Sequence, residues 1–446
     1  MKLIYDVNDK PKFGQLIVFA IQQLLAIMAA TLVVPVIVGN GMSPAAALFG
    51  AGVGTLVYIM FTKKKSPVFL GSSFAFLGSM AAAFAGATSV ALGYVGLILG
   101  AVMAGLVYVV IALLVKVAGV NWLNKLMPPV VIGPTVAIIG LSLAGNAVGD
   151  LQKGGNESAN VFACLVVGLV TLGVTMACAT YGKKMARLIP FIIGILSGYA
   201  VAAVMTIVGN AAGIDALKVI NFGAFSALVE NGVTLNTFLS VPDFTFLTAF
   251  GAIGELSGAY IGTIAAAYIP VAFVVFAEHV ADHKNISSII EKDLLEDPGL
   301  SRTLLGDGVG SMVGAFFGGC PNTTYGESVG CVAITGNASV RTIIAAACGA
   351  IMIAFVNPFV AFVNSIPACV MGGVCMALYG FIAVSGLKMV QKVDLEKNKN
   401  LFVVSVILIA GIGGLSLNFG AVTITSIATA LILGILTNVL LNKAEG

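Results

Sequence analysis

Three acidic residues stand in otherwise apolar stretches: Glu278, Asp307 and Glu327. An acid at bilayer depth costs several kcal/mol unless it is neutral or paired, so each is a candidate for function. Glu278 opens the passage Glu278-His279-Val280-Ala281-Asp282-His283, which holds both histidines of the chain. At helical spacing Glu278 and Asp282 share one face, and so do His279 and His283. That pattern suits a carboxylate coupled to a titrating imidazole. The histidine pair alone is a poor zinc site because no third ligand is evident. Glu327 directly follows Pro321-Asn322-Thr323-Thr324-Tyr325-Gly326. There a half-helix should begin, and its first N–H groups favour a carboxylate. It either caps that helix or accepts hydrogen bonds from a ligand. Asp307, in Gly306-Asp307-Gly308, reads equally well as a binding group or as scaffold.

These residues have to be positioned by membrane-spanning elements. The 446-residue chain is 59% hydrophobic and 9% charged, with a net charge of +3. So few charges cannot coat a soluble body or form a basic face for nucleic acid, and disorder needs the opposite composition. A polytopic all-α membrane protein remains. The seven cysteines show no CxxC pair and are expected to be buried thiols rather than disulfides or metal ligands. No cleavable signal peptide is evident. No motif for a cofactor and no nucleophile–base pair suggests an enzyme.

Apolar runs give fourteen spans, near 14–38, 44–61, 67–86, 90–116, 128–148, 158–180, 186–209, 260–282, 301–318, 320–338, 340–362, 367–387, 400–416 and 421–441. With both termini in the cytoplasm, 20 of the 22 Lys and Arg residues fall inside and only Lys153 and Lys218 fall outside. Such a bias is the positive-inside pattern. The long connection 210–259 is expected to hold short interfacial helices.

Two passages repeat. Pro128 and Gly133 in Met127-Pro-Pro-Val-Val-Ile-Gly133 match Pro367 and Gly372 in Ile366-Pro-Ala-Cys-Val-Met-Gly372. Ser72-Ser73 and Thr323-Thr324 open the two poorest helices, in the same order. Two halves of seven spans have opposite orientation, which is a transporter signature. Unwound backbone at bilayer depth is tolerated only inside protein or beside a polar cavity, so the two breaks point to one shared binding site. Its acids, unwound backbone and aromatics (Phe74, Phe76, Tyr325) suit a small, flat, uncharged polar ring. No Arg or Lys is expected in it, which disfavours an anion.

Four passages taken together resemble the nucleobase–ascorbate transporter family, and within it the bacterial uracil permeases. They are Phe69-Leu-Gly-Ser-Ser-Phe-Ala-Phe76, Ala277-Glu-His-Val-Ala-Asp-His283, Lys292-Asp-Leu-Leu-Glu-Asp-Pro-Gly-Leu300 and Pro321-Asn-Thr-Thr-Tyr-Gly-Glu327. The resemblance implies a seven-plus-seven inverted repeat, with short antiparallel strands in spans 3 and 10. It implies a core domain (1–126 and 244–364) and a gate domain (127–243 and 365–446). It places Glu278 and Glu327 on a pyrimidine ring, with the backbones of Phe74 and Gly326 and the side chain of Tyr325 beside them. Glu278, His283 and Glu327 would couple a proton, the only co-transported species. The implied activity is proton symport of uracil across the plasma membrane by alternating access, often as a homodimer. Xanthine or urate transport is the alternative within the family, and an anion transporter of the same fold is a further one. The chain departs from the family signature at Ser328, where Asn is usual, and at Gln22-Gln23, where Gln-His is common.

Overall fold

The computed structural model describes residues 3–119, 127–183, 185–230, 232–419 and 422–442. The expected inside charges at Lys2, Lys125, Lys184 and Lys443 lie outside those residues. The first seven segments are α1 (Phe13–Val38), α2 (Pro44–Phe61), β1 (Leu70–Ser72) with α3 (Leu77–Ala85), α4 (Val90–Ala118), α5 (Pro129–Ser142, continued by Ala144–Asp150), α6 (Val161–Tyr181) and α7 (Pro190–Ala212). The second seven are α8 (Gly258–Ile290), α9 (Leu300–Gly318), β2 (Asn322–Thr324) with α10 (Gly326–Thr335), α11 (Val340–Ile353), α12 (Ala368–Val390), α13 (Asn398–Ile412) and α14 (Ser426–Asn442). Helix starts follow local chemistry. Ser43, Ser89 and Ser257 accept an N–H from the first turns of α2, α4 and α8, and Asn160 does so for α6.

By length and composition, eight of the described helices can cross a bilayer alone. The third and tenth segments cannot, because each opens as a three-residue strand and leaves a helix of only 9 or 10 residues. β1 and β2 pair antiparallel, Leu70 opposite Thr324 and Ser72 opposite Asn322. The pairing centres on Gly71 and Thr323, so the mirrored halves meet there. A second mirror contact involves α5 and α12, which begin after Pro128 and Pro367 with nearly the same backbone angles (φ −71°, ψ 163° and φ −69°, ψ 150°). A Cβ on Gly133 would sit 2.9 Å from Val390 of α12, and one on Gly372 would sit 2.7 Å from the Leu151 nitrogen after α5. Each glycine lets its helix touch the far end of the other.

The helices pack in two groups. In one, α9 packs on α2 and α4, α8 on α4, and α11 on α1 and α2. In the other, α12 packs on α5 and α6, α6 on α7, and α13 on α5 and α14. Large apolar side chains on the outside of the bundle are bare, for example Val117 at 88% and Phe162 at 77% exposure, as expected for surface that faces lipid.

Four features differ from the sequence expectations. α8 runs eight residues past the expected end at 282, since its helical pattern continues through polar residues. α11 stops at Ile353, and a separate helix, Asn357–Ser365, follows. A hairpin of β3 (Leu417–Phe419) and β4 (Val422–Ile424) separates α13 from α14, so the last span starts as strand where the sequence suggested helix from 421. Of the seven free cysteines, Cys348 is exposed and Cys178 half-buried, so not all are inside.

The connection after α7 forms short helices, including Gly223–Ala227, Leu235–Phe238 and Thr245–Ala249. They pack against the bundle through aromatic rings. Phe246 stacks on Phe316 at 4.8 Å, and Phe49 and Phe317 pack edge-on around Phe244. At the opposite end, the N-terminal segment runs beside the link between α10 and α11. Ile4 donates to the Gly336 carbonyl (2.7 Å), Ala338 donates to Tyr5 (2.9 Å), and Lys292 bonds Asp6.

Candidate functional site

A cavity of about 490 Å³ lies between the two helix groups. One wall carries the polar residues: Ser73 and Phe74 after β1, Thr323 to Glu327 around the start of α10, and Glu278 and Asp282 of α8. The facing wall is apolar and comes from α5 and α12, with Ile132, Val136, Leu378, Phe381 and Ile382. Phe74 reaches across, edge-on to Tyr379 of α12 at 6.2 Å.

The two breaks build the polar wall. β1 ends at Ser72, and α10 starts at Gly326 with Glu327 in its first turn. The first backbone N–H groups of a helix have no partner within it, so the helix starts that follow β1 and β2 can offer donors to the cavity. Hydrogen bonds lock the crossing: Ser73 N–H to the Pro321 carbonyl (2.9 Å) and Tyr325 N–H to the Phe69 carbonyl (3.2 Å). The Tyr325 hydroxyl donates to the Ser72 carbonyl at 2.5 Å, and its ring lies flat over Gly71. Tyr325 therefore lines the cavity while serving mainly as a brace.

Ser328, fully buried, is a second brace. Its hydroxyl oxygen accepts from the Gln23 amide and from the Phe69 N–H (2.9 Å), tying α10 to α1 and to the approach to β1. The two departures from the family pattern thus meet in one contact. Asp282 accepts from the Thr324 hydroxyl at 3.0 Å.

Behind the polar wall is a separate network. His279 Nδ1 bonds Asp307 Oδ2 at 2.7 Å, and its Nε2 bonds Thr303. His283 bonds the Tyr58 hydroxyl (2.7 Å) and the His279 carbonyl (2.8 Å). The two rings stack at 4.0 Å. All four ring nitrogens are engaged.

The structure thus brings Glu278, Glu327, Gly326, Phe74 and Tyr325 to one cavity. It does not put His283 on Glu278, as the resemblance implied, because both its nitrogens go elsewhere. Asp307 is buried between helices behind the cavity wall, and among the described residues its Oδ1 has no hydrogen-bond partner. Phe76 is also outside, stacked on Tyr268 at 5.6 Å. Two charged lining residues lie outside the expected site. Asp282 could have been found from its place one turn after Glu278. Arg187, in the short helix Met185–Leu188 before α7, contradicts the expectation of a site without cations. That expectation considered only the interrupted spans, and nothing in the spacing of Arg187 ties it to them.

A bundle of fourteen mirrored segments, with two interrupted ones meeting at a polar cavity between helix groups, defines a membrane transporter. The same fold occurs in the transmembrane domain of a cyanobacterial bicarbonate transporter, BicA (TM-score 0.63, 14% identity, 97% of this chain and 99% of that one). It occurs too in the murine anion transporter of solute carrier family 26, member A9, in its inward-facing state (TM-score 0.66, 10% identity, 98% of this chain and 69% of that one).

The chain belongs to the Permease family (Xan_ur_permease), which matches residues 14–419. It is 39% identical to the uracil permease of Bacillus caldolyticus, over 99% of this chain and 95% of that protein. It is 37% identical to the uracil permease of Escherichia coli strain K12, over 96% and 92%. It is therefore a multi-pass transporter and not an enzyme.

Proposed function

We propose that the protein takes up uracil together with protons by alternating access. The cavity carries the reading: carboxylates and free backbone donors on one wall face an apolar surface on the other. Relatives over nearly the whole chain are uracil permeases, and a pyrimidine base needs this combination. Glu278 and Glu327 accept its ring N–H groups, the backbone N–H groups at Phe74 and Gly326 donate to its carbonyls, and the apolar wall covers its face. Asp282 shares the acidic side, which disfavours an anionic cargo.

Glu278 and Glu327 are the groups that carry the proton, because they face the space the proton must cross. His283 acts indirectly, by fixing the helix that holds Glu278. The group α1–α4 with α8–α11 moves as the core, and the group α5–α7 with α12–α14 stays as the gate. The cavity reaches the inner ends of α5, α7 and α12, on the side rich in Lys and Arg. By the charge bias that side is the cytoplasm, with both termini on it, and the state is inward-facing.

Uptake of labelled uracil by cells lacking their own uracil transporter tests this. Saturable uptake is expected, abolished by a protonophore and by Glu278→Gln or Glu327→Gln, and little affected by excess xanthine. Uptake indifferent to both substitutions would overturn it.

A further inference from the structure

Among the described residues, Arg187 is the one cation that lines the cavity. It is exposed, and among the described residues it has no ion-pair partner. Its place is nonetheless fixed. The next residue, Leu188, is buried against Ala26 of α1 and Cys331 of α10, and Met185–Leu188 packs on both helices. Arg187 therefore lies on a segment that packs against α10, the helix with Glu327 in its first turn, and that belongs in sequence to the α6–α7 turn.

The same cavity is lined by Glu278, Asp282 and Glu327. With a ring and a proton bound, their charge is offset by hydrogen bonds. When both leave, carboxylates face each other across a poorly solvated space, where like charges repel strongly. Among them, Asp282 alone keeps a side-chain donor, the Thr324 hydroxyl. A guanidinium fork matches carboxylates and stays charged throughout.

We propose that Arg187 is a positioning residue for release: it is the counter-charge that takes over the cavity carboxylates as the neutral ring departs. Because it rides on the gate side, it meets those acids only when the core has brought them to this mouth. It thereby favours emptying here and has no hold on the site when the site faces the other way. This rests on the transport reading above and adds a residue and a step to it.

The test uses purified full-length protein and reads the rate at which bound labelled uracil leaves into excess unlabelled uracil. Arg187→Gln is expected to slow that dissociation about threefold to tenfold, the size of a partly exposed charge pair, and to tighten equilibrium binding, whereas a merely structural loss weakens binding. Arg187→Lys is expected to restore most of the dissociation rate. Unchanged or faster dissociation in Arg187→Gln would overturn the proposal. A wild-type protein that binds no uracil strikes the proposed function instead.

Discussion

Gly71→Ala puts a methyl group where the mirrored halves cross. The added Cβ would sit 2.3 Å from Cε2 and 2.4 Å from Cζ of Tyr325, well inside contact distance. The ring cannot stay over the strand, and its hydroxyl loses the Ser72 carbonyl. Overpacking costs about 1–3 kcal/mol, and the lost hydrogen bond adds about 1 kcal/mol. The total is about 2–4 kcal/mol. If half of it falls on the geometry of the ring site, uracil affinity drops about tenfold. Equilibrium binding to purified protein, with thermal unfolding alongside, reads both parts. The control is the double-mutant cycle with Tyr325→Leu, which removes the ring. In that background Gly71→Ala is expected to cost less than about 1 kcal/mol, since the two residues are in contact. Wild-type binding and stability in Gly71→Ala, or strict additivity in the cycle, would refute the reasoning.

Other perturbations test other contacts. Ser328→Ala strands the Gln23 amide and the Phe69 N–H in a buried site, and unfolding should register a loss of about 1–3 kcal/mol. Adding Gln23→Leu should return part of it. Asp307→Leu leaves His279 Nδ1 unpaired and should cost about 1–3 kcal/mol, while Asp307→Asn keeps an acceptor and should cost less by the same assay. The Lys292 ammonium beside Asp6 holds its carboxyl below the ordinary value of 3.8. A depressed acid contributes stability above its unfolded value and loses it as pH falls through the folded one. Protection from hydrogen exchange over residues 4–9 should therefore hold down to about pH 4 and fall below it, and Lys292→Ala should lower it only above that pH.

The architecture was legible because a membrane constrains sequence so tightly. Runs of about 20 apolar residues and the one-sided Lys and Arg fixed the number of segments. Pro128 and Pro367, with Gly133 and Gly372, showed the mirror. The two breaks were visible because Ser72-Ser73 and Pro321-Asn322 have no other place at bilayer depth. What the sequence hid were contacts between distant segments. Nothing in the spacing shows that Tyr325 points its hydroxyl back at Ser72, that Gln23 meets Ser328 across 305 positions, or that His283 turns to Tyr58. Arg187 looked like another cytoplasmic charge because its role depends on Leu188 seating it beside α10. Strand β4 falls inside the span expected over 421–441 because Val422–Ile424 is as apolar as the helix that follows.

The central claim is that Glu278 and Glu327, brought together by the two mirrored breaks, hold a neutral pyrimidine base. Direct binding of labelled uracil to purified protein, with Glu278→Gln and Glu327→Gln compared at equal folded fraction, tests it most directly. The account predicts saturable binding to the wild type, competed by unlabelled uracil, and a loss of at least about tenfold in each variant. Undiminished binding in both variants would contradict it.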